Sequence, residues 1–237
     1  MERLDKILAG TGRWSRREVK ELIRQRRVLL DGLPADSPER KIDPNTAVIQ
    51  VDGVPVAYRR YTYDLLHKPA GVLSAVEDSR YTTVMDLLPQ ELKRQGLSPV
   101  GRLDKDTEGL LLLTNDGDLA HRLLSPRSHV DKVYYARTQG TPTAEDAARF
   151  AEGITLEDGL HCLPAVLRVC GENEVLLTLR EGKFHQVKRM LAARGAPVLY
   201  LKRLSMGPLT LDPELAPGAW RELTDSEIEA LRHAIEP

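Results

Sequence analysis

The sequence predicts an α+β fold in two parts, a small N-terminal domain followed by a larger C-terminal one. Three observations carry this reading. Apolar residues recur with helical period in some segments and alternate or run together as strands in others. Charge divides unevenly, with residues 1–60 holding 13 Lys and Arg against 9 Asp and Glu, while the remainder is acidic. Between the two parts, residues 57–62, including Tyr58, Arg59, Arg60 and Tyr61, keep neither period and read as a connection. The boundaries that follow are residues 1–58, a linker at 59–62, and residues 63–237.

Composition narrows the class. With 41% hydrophobic and 29% charged positions among 237 residues, the chain can bury a substantial core, and disorder throughout is excluded. No apolar run approaches the roughly 18 residues of a membrane span, and Met1 to Lys6 carry charge without an apolar signal core, so a cytoplasmic protein without a membrane partner is expected. Cys162 and Cys170 are too few for a disulfide framework and do not form a Cys-x-x-Cys pair. The six histidines show no metal-ligand spacing with them, so no zinc is expected.

In the first part, Leu4, Ile7 and Leu8 fall at i, i+3 and i+4 and predict a short helix ended near Gly10 and Gly12. Ser15 with Glu18 three residues on is a capping-box pattern, and Val19, Leu22 and Ile23 supply the buried stripe of a second helix. Arg16, Arg17, Lys20, Arg24 and Arg27 lie off that stripe, which makes them candidate phosphate contacts, although a solvated surface gives the same pattern. Short strands around the turns Asp31-Gly32 and Asp52-Gly53 complete a small α+β unit.

In the second part, residues 63–67 are strand-like, Lys68-Pro69-Ala70-Gly71 breaks the pattern, residues 72–75 resume it, and residues 82–88 predict a short helix closed by Pro89. Gly101-Arg102-Leu103-Asp104-Lys105-Asp106-Thr107-Glu108-Gly109 then runs into the apolar strand at residues 110–113. A charged loop held between glycines and a buried strand keeps its side chains stiff, as a reacting carboxylate requires. Asp104, Asp106 and Glu108 imitate the start of a calcium loop, but Asn115 stands where the bidentate glutamate belongs. Downstream come a helix after Asn115-Asp116-Gly117, a strand carrying Lys132 and Tyr134, a strand at residues 175–180, and a helix from His185 to Arg194 with Val187, Met190 and Leu191 facing inward. Residues 180–203 hold seven basic positions against Glu181 alone, so an anionic partner touching this segment and residues 13–27 is a first expectation.

The order Arg3-Leu4-Asp5-Lys6, Ser15-Arg16-Arg17-Glu18 and Arg27 to Gly32 resembles the S4 RNA-binding module. Gly101-Arg102-Leu103-Asp104 with Thr107 and Gly109-Leu110, then Lys132-x-Tyr134, then Glu181-Gly182-x-x-His185-Gln186-Val187-Lys188-Arg189-Met190 resemble the pseudouridine synthases that act on ribosomal RNA. Ser125-Pro126-Arg127-Ser128-His129, Lys188, and the run from Leu211 to Gly218 look most like the small-subunit (16S) type. The resemblance implies an S4-like RNA-binding domain followed by a pseudouridine synthase-like domain with a mixed, mainly antiparallel sheet. It implies Asp104 as the catalytic carboxylate, Tyr134 as the base-stacking ring, and Lys188 or the adjacent Arg189 as the basic partner of the aspartate. Arg102, Lys183, His185 and Gln186 become candidate RNA contacts.

The implied reaction breaks the N1–C1′ bond of uridine, turns the freed uracil and joins C5 to C1′, which needs no cofactor. A carboxylate suits a ribose that passes through a cation-like state, either as nucleophile at C1′ or as base at the 2′ position. An aromatic face offsets the stacking an extruded base gives up. The implied partner is 16S ribosomal RNA or a partly assembled small subunit, bound by a monomer without metal. The rivals are a synthase for 23S RNA or tRNA, a non-catalytic RNA-binding assembly protein, and metal-dependent RNA hydrolysis through Asp104, Asp106 and Glu108.

Overall fold

The computed structural model describes residues 1–128 and 130–236; His129, part of the run beginning at Ser125, lies outside the described residues. The chain divides into two compact units, one made of Met1–Thr62 with Leu88–Leu97, the other of Tyr63–Leu87 with Ser98–Pro237. Sequence reasoning assigned all of residues 63–237 to the second domain. The departure at Leu88–Leu97 has a local cause, because a Cβ at Gly12 would lie 2.0 Å from the carbonyl oxygen of Glu91, so only a glycine lets the two backbones meet.

The first unit contains helices α1 (Leu4–Gly10), α2 (Arg16–Arg24) and α3 (Gln90–Arg94), and strands β1 (Glu2–Arg3), β2 (Val28–Leu30), β3 (Leu33–Pro34), β4 (Lys41–Ile42), β5 (Ile49–Val51) and β6 (Val54–Pro55). β1 pairs with β4, and the others form an antiparallel sheet in the order β3-β2-β5-β6. The α2 helix starts where its capping box closes: the Ser15 amide donates to Glu18 at 2.6 Å and the Glu18 amide donates to the Ser15 hydroxyl. Leu4, Ile7, Leu8, Val19, Leu22 and Ile23 from the helices pack with Val28, Leu30, Ile49 and Val51 from the sheet. Tyr58, assigned at first to the connection, packs against this core, and its hydroxyl donates to Glu2 at 3.1 Å.

The second unit contains strands β7 (Tyr63–Lys68), β8 (Ser98–Pro99), β9 (Glu108–Thr114), β10 (Lys132–Thr138), β11 (Ile154–Thr155), β12 (His161–Cys162), β13 (Val166–Gly171), β14 (Glu174–Leu179), β15 (Val198–Met206), β16 (Leu209–Thr210) and β17 (Trp220–Glu222). Its helices are α4 (Gly117–Leu124), α5 (Ala144–Glu152), α6 (Gln186–Ala192) and α7 (Asp225–His233). The main sheet runs β13-β14-β10-β15-β9-β7-β17, with β16 on β15 and β8 on β9. Every neighbour is antiparallel except β15 and β9, which meet in parallel over Lys202 with Glu108 and Arg203 with Gly109. The sheet is mixed and mainly antiparallel, as expected. Residues 72–75 are not a strand; Leu73 makes a single bridge to Thr83. The turn before Pro89 is a 3-10 helix at Val84–Leu87.

The short parallel seam is held by more than its ladder. At Gly109, φ is +112°, and a Cβ there would lie 2.2 Å from the carbonyl oxygen of Arg203. The Arg203 guanidinium, buried to 2% exposure, donates from Nε to the Leu110 carbonyl at 2.8 Å, and the Tyr200 hydroxyl donates to Glu108 at 2.7 Å. Both side chains of β15 reach across to β9.

Asp64 of β7 is fully buried, and among the described residues neither of its carboxylate oxygens has a hydrogen-bond partner. Burial, with Glu222 opposite on β17, pushes its carboxyl up to about 7. The folded chain therefore holds a proton that the unfolded chain releases near pH 4, and stability from this group is lost as pH rises from about 4 to 7. Replacing Asp64→Asn removes the titration. Urea unfolding of the two proteins at a series of pH values should show the variant gaining about 2–4 kcal/mol on wild type between pH 4 and 8. A difference that stays constant across that range would mean that Asp64 is not protonated in the fold.

Candidate active site

Asp104 stands in the loop that enters β9, and the segment after β7 fixes that loop. The Lys68 side chain is fully buried, and its ammonium donates to the carbonyls of Thr107 at 2.8 Å, Pro69 at 3.0 Å and Lys105 at 3.3 Å. The Gly71 amide donates to Lys105 at 2.7 Å. The Ser74 hydroxyl donates to the Leu103 carbonyl at 2.9 Å and accepts from the Leu103 amide at 3.0 Å. Within the loop, the Thr107 amide donates to the Asp104 carbonyl at 3.1 Å. Burial pulls the Lys68 ammonium down to about 8, against the opposing pull of Asp106, Asp104 and Glu108. Lys68 and Ser74 escaped sequence reasoning, which saw in this segment a strand break; a lysine at the end of a buried apolar strand is the signal that was available.

A cleft opens beside Asp104, lined by Arg102, Thr107, Tyr134, His185, Lys188 and Leu201 among others. Two carboxylates share the Lys188 ammonium, Asp104 at 3.0 Å and Asp106 at 2.6 Å. Burial works against that charge, but the bonds to Asp106 and Asp104 outweigh it and hold the lysine above its usual value, while Lys188 in turn lowers Asp106. Of the two basic residues that the resemblance left open, Lys188 contacts Asp104; Arg189 lies instead 2.5 Å from Asp158. The cause is the α6 helix, whose successive residues point about 100° apart. Tyr134 is buried in β10, and a register shift against β15 between Val133 and Tyr134 sets its position in the cleft wall.

The start of α6 differs from a regular helix entry. His185 takes the left-handed conformation, with φ 50° and ψ 31°, and its Nε2 lies 3.6 Å from Asp104 Oδ1. Glu181, buried, accepts from the amide of Leu163 at 2.9 Å and from the Gln186 side chain at 2.6 Å, and pairs with Lys183 at 3.0 Å. The Gln186 side chain also accepts from the Lys183 amide at 2.9 Å, and the Lys183 ammonium donates to the His161 carbonyl. Gln186 and Lys183, expected at the RNA, are thus committed to building the loop. Arg102 and His185 remain exposed.

The two basic segments are also less charged than composition suggested. In the second, Arg180 pairs with Asp131, Arg189 with Asp158 and Arg194 with Asp146, and Arg203 is buried, so acids distant in sequence neutralise much of it. In the first, Arg24 pairs with Glu21 and Arg27 with Asp52, which leaves Arg16, Arg17 and Lys20 as exposed cations on α2. The three acids of the apparent calcium loop take different partners: Asp104 and Asp106 meet Lys188, and Glu108 meets Tyr200.

Chemically, the arrangement presents a carboxylate beside a fixed ammonium and an aromatic ring in one cleft, suited to an electron-poor carbon next to a planar base. Residues 62–193 match the sequence profile described as RNA pseudouridylate synthase. The chain belongs to that family. Residues 2–48 match the S4 domain. An uncharacterized RNA pseudouridine synthase of Bacillus subtilis (strain 168) is 50% identical over 97% of this chain and 98% of its own length. The ribosomal small subunit pseudouridine synthase A of Escherichia coli (strain K12) is 40% identical over 97% of this chain and 99% of its own. A crystal structure of a pseudouridylate synthase superposes with a TM-score of 0.69 at 36% identity, covering 98% of this chain and all of that one.

The clamp on the Asp104 loop gives a stability contrast. Replacing Lys68→Met takes the ammonium from the carbonyls of Thr107 and Pro69, and from that of Lys105, which keeps the Gly71 amide, and should cost about 2–3 kcal/mol in urea unfolding. Lys188→Met, at the open cleft, should cost less than about 1 kcal/mol. Equal losses would assign the loop's rigidity elsewhere.

Proposed function

We propose that this protein isomerises a uridine of small-subunit (16S) ribosomal RNA to pseudouridine, with Asp104 as its catalytic carboxylate. The observation that carries the reading is the meeting of Asp104, Lys188 at 3.0 Å, and Tyr134 around one cleft in a chain of this family. The small-subunit target is supported by similarity to the Escherichia coli enzyme along almost the whole of both chains. Uridine and pseudouridine are isomers, so the reaction needs no oxidant, reductant or energy source.

Asp104 acts on the ribose as the N1–C1′ bond breaks, either by bonding to C1′ or by taking the 2′ proton. Lys188 holds the carboxylate in place between the two acids it bridges. Tyr134 stacks on the extruded uracil, and Arg102 at the cleft edge engages the RNA backbone or displaces the base. C5 then joins C1′ as the bond to Asp104 breaks or the 2′ proton is returned, and the proton lost from C5 is balanced by one taken up at N1. The reading places the enzyme in the cytoplasm as a monomer, acting on RNA or on a partly assembled subunit, with Arg16, Arg17 and Lys20 of α2 meeting phosphates.

Two experiments test this. Unmodified 16S, 23S and transfer RNA are incubated with wild type or Asp104→Asn, and pseudouridine is mapped by selective labelling and primer extension. One stop in 16S, lost with Asp104→Asn, is expected. Stops in another RNA would overturn the target, and turnover by Asp104→Asn would end the role of the carboxylate. In the second, Arg16, Arg17 and Lys20 are replaced together by alanine and RNA affinity is followed against salt. The slope of log affinity against log salt should fall by about 2, near 0.7–0.9 per lost phosphate contact. An unchanged slope would remove α2 from the interface.

A further inference from the structure

The chain has two phenylalanines, and they have opposite fates. Phe150 is fully buried in α5, whereas Phe184 is 75% exposed. An exposed apolar side chain alone needs no explanation. Phe184, however, is stacked on His185, with ring centroids 3.8 Å apart and planes 18° from parallel. His185 in turn approaches Asp104 at 3.6 Å. The neighbours on both sides, Lys183 and His185, line the cleft, while Phe184 stands outside it at the mouth.

The backbone explains how this is arranged. Of the non-glycine residues with positive φ, Asp31, Asp52 and Asn173 lie in turns between paired strands, where Asp and Asn favour that conformation. Arg26 follows the end of α2, and His185 takes the conformation at the entry to α6, beside Asp104. Its left-handed geometry turns one ring inward to the carboxylate and leaves the preceding ring outside. The result is a stiff two-ring stack reaching from Asp104 to solvent, with the outer face of Phe184 uncovered.

Resting on the reaction proposed above, we infer that Phe184 is a stacking platform for a nucleobase adjacent in the RNA to the uridine held at Asp104. Extruding a uridine removes a stacking partner from each flanking base. Tyr134 is buried within the cleft wall and serves the base that enters; a flanking base remains outside, where Phe184 offers its face. Stacking tolerates any base, so this contact supplies affinity and position rather than sequence choice.

The test uses the full-length protein as wild type, Phe184→Leu and Phe184→Tyr. Initial rates of C5 tritium release from labelled 16S transcript give KM and kcat. With stacking lost, Phe184→Leu should raise KM about tenfold or more and leave kcat within about twofold, and Phe184→Tyr should restore KM. A second readout does not depend on turnover: a 12-nucleotide RNA with 2-aminopurine on each side of a single uridine should lose fluorescence on binding to wild type and Phe184→Tyr, but not to Phe184→Leu. Unchanged KM, or equal quenching by Phe184→Leu, overturns the platform. Absence of tritium release by wild type from 16S, 23S and transfer RNA defeats the proposed reaction instead, and the quenching then decides on Phe184 by itself.

Discussion

A single buried ammonium organises the second unit around its chemistry. Lys68 ends a strand whose every residue is buried, and its charge is satisfied by the carbonyls of the turn that carries Asp104 rather than by a carboxylate. Burying a cation without an acid partner is unfavourable unless each of its protons finds an acceptor. That requirement works in both directions. The turn supplies two of the lysine's three acceptors, the carbonyls of Lys105 and Thr107, and the lysine in turn holds both of them. Ser74 and Gly71 add bonds from the same segment, so Asp104 rests on a backbone fixed from beneath.

The second element of the site comes from the opposite side. α6 brings Lys188 to Asp104, and the loop before it is organised by Glu181 with Gln186, Lys183 and the Leu163 amide. Glu181 therefore serves a structural purpose within a motif that the sequence presents as part of the site. One side chain of the helix, Lys188, touches Asp104; residues before it hold the helix entry. The same division holds in β10, where Tyr134 faces the cleft and a register shift sets its position.

Much of this was legible beforehand, and the reasons differ by residue. The helices α1 and α2 follow from apolar spacing and a capping box, which are local signals. Asp104, Tyr134 and Lys188 could be singled out because the motifs that contain them resemble those of the pseudouridine synthases; taken alone, a tyrosine in a strand or a lysine beside a buried helical stripe carries no such signal. What local patterns did not carry was partnership over distance. Arg189 and Lys188 are adjacent, and only the rotation of a helix separates their targets. Seven basic residues between 180 and 203 read as an open positive patch until acids elsewhere in the chain claim Arg180, Lys188, Arg189 and Arg194. Lys68 was read as punctuation because two of its three acceptors, the carbonyls of Lys105 and Thr107, belong to a turn nearly forty residues away.

The parallel seam between β9 and β15 also sets the order in which this molecule can be completed. Its two strands are far apart in the chain, and Lys188 lies 82 positions from the Asp106 with which it shares a bond. Closing so large a loop carries an entropic cost that is recovered only when both strands are in place, which slows folding relative to a fold of local contacts. During synthesis, the first unit's helices and hairpins can form from contacts close in sequence, while the cleft waits for residues beyond 200. A chain extended only past the Asp104 loop still lacks Lys188, and the cleft is complete only when both strands of the seam are in place.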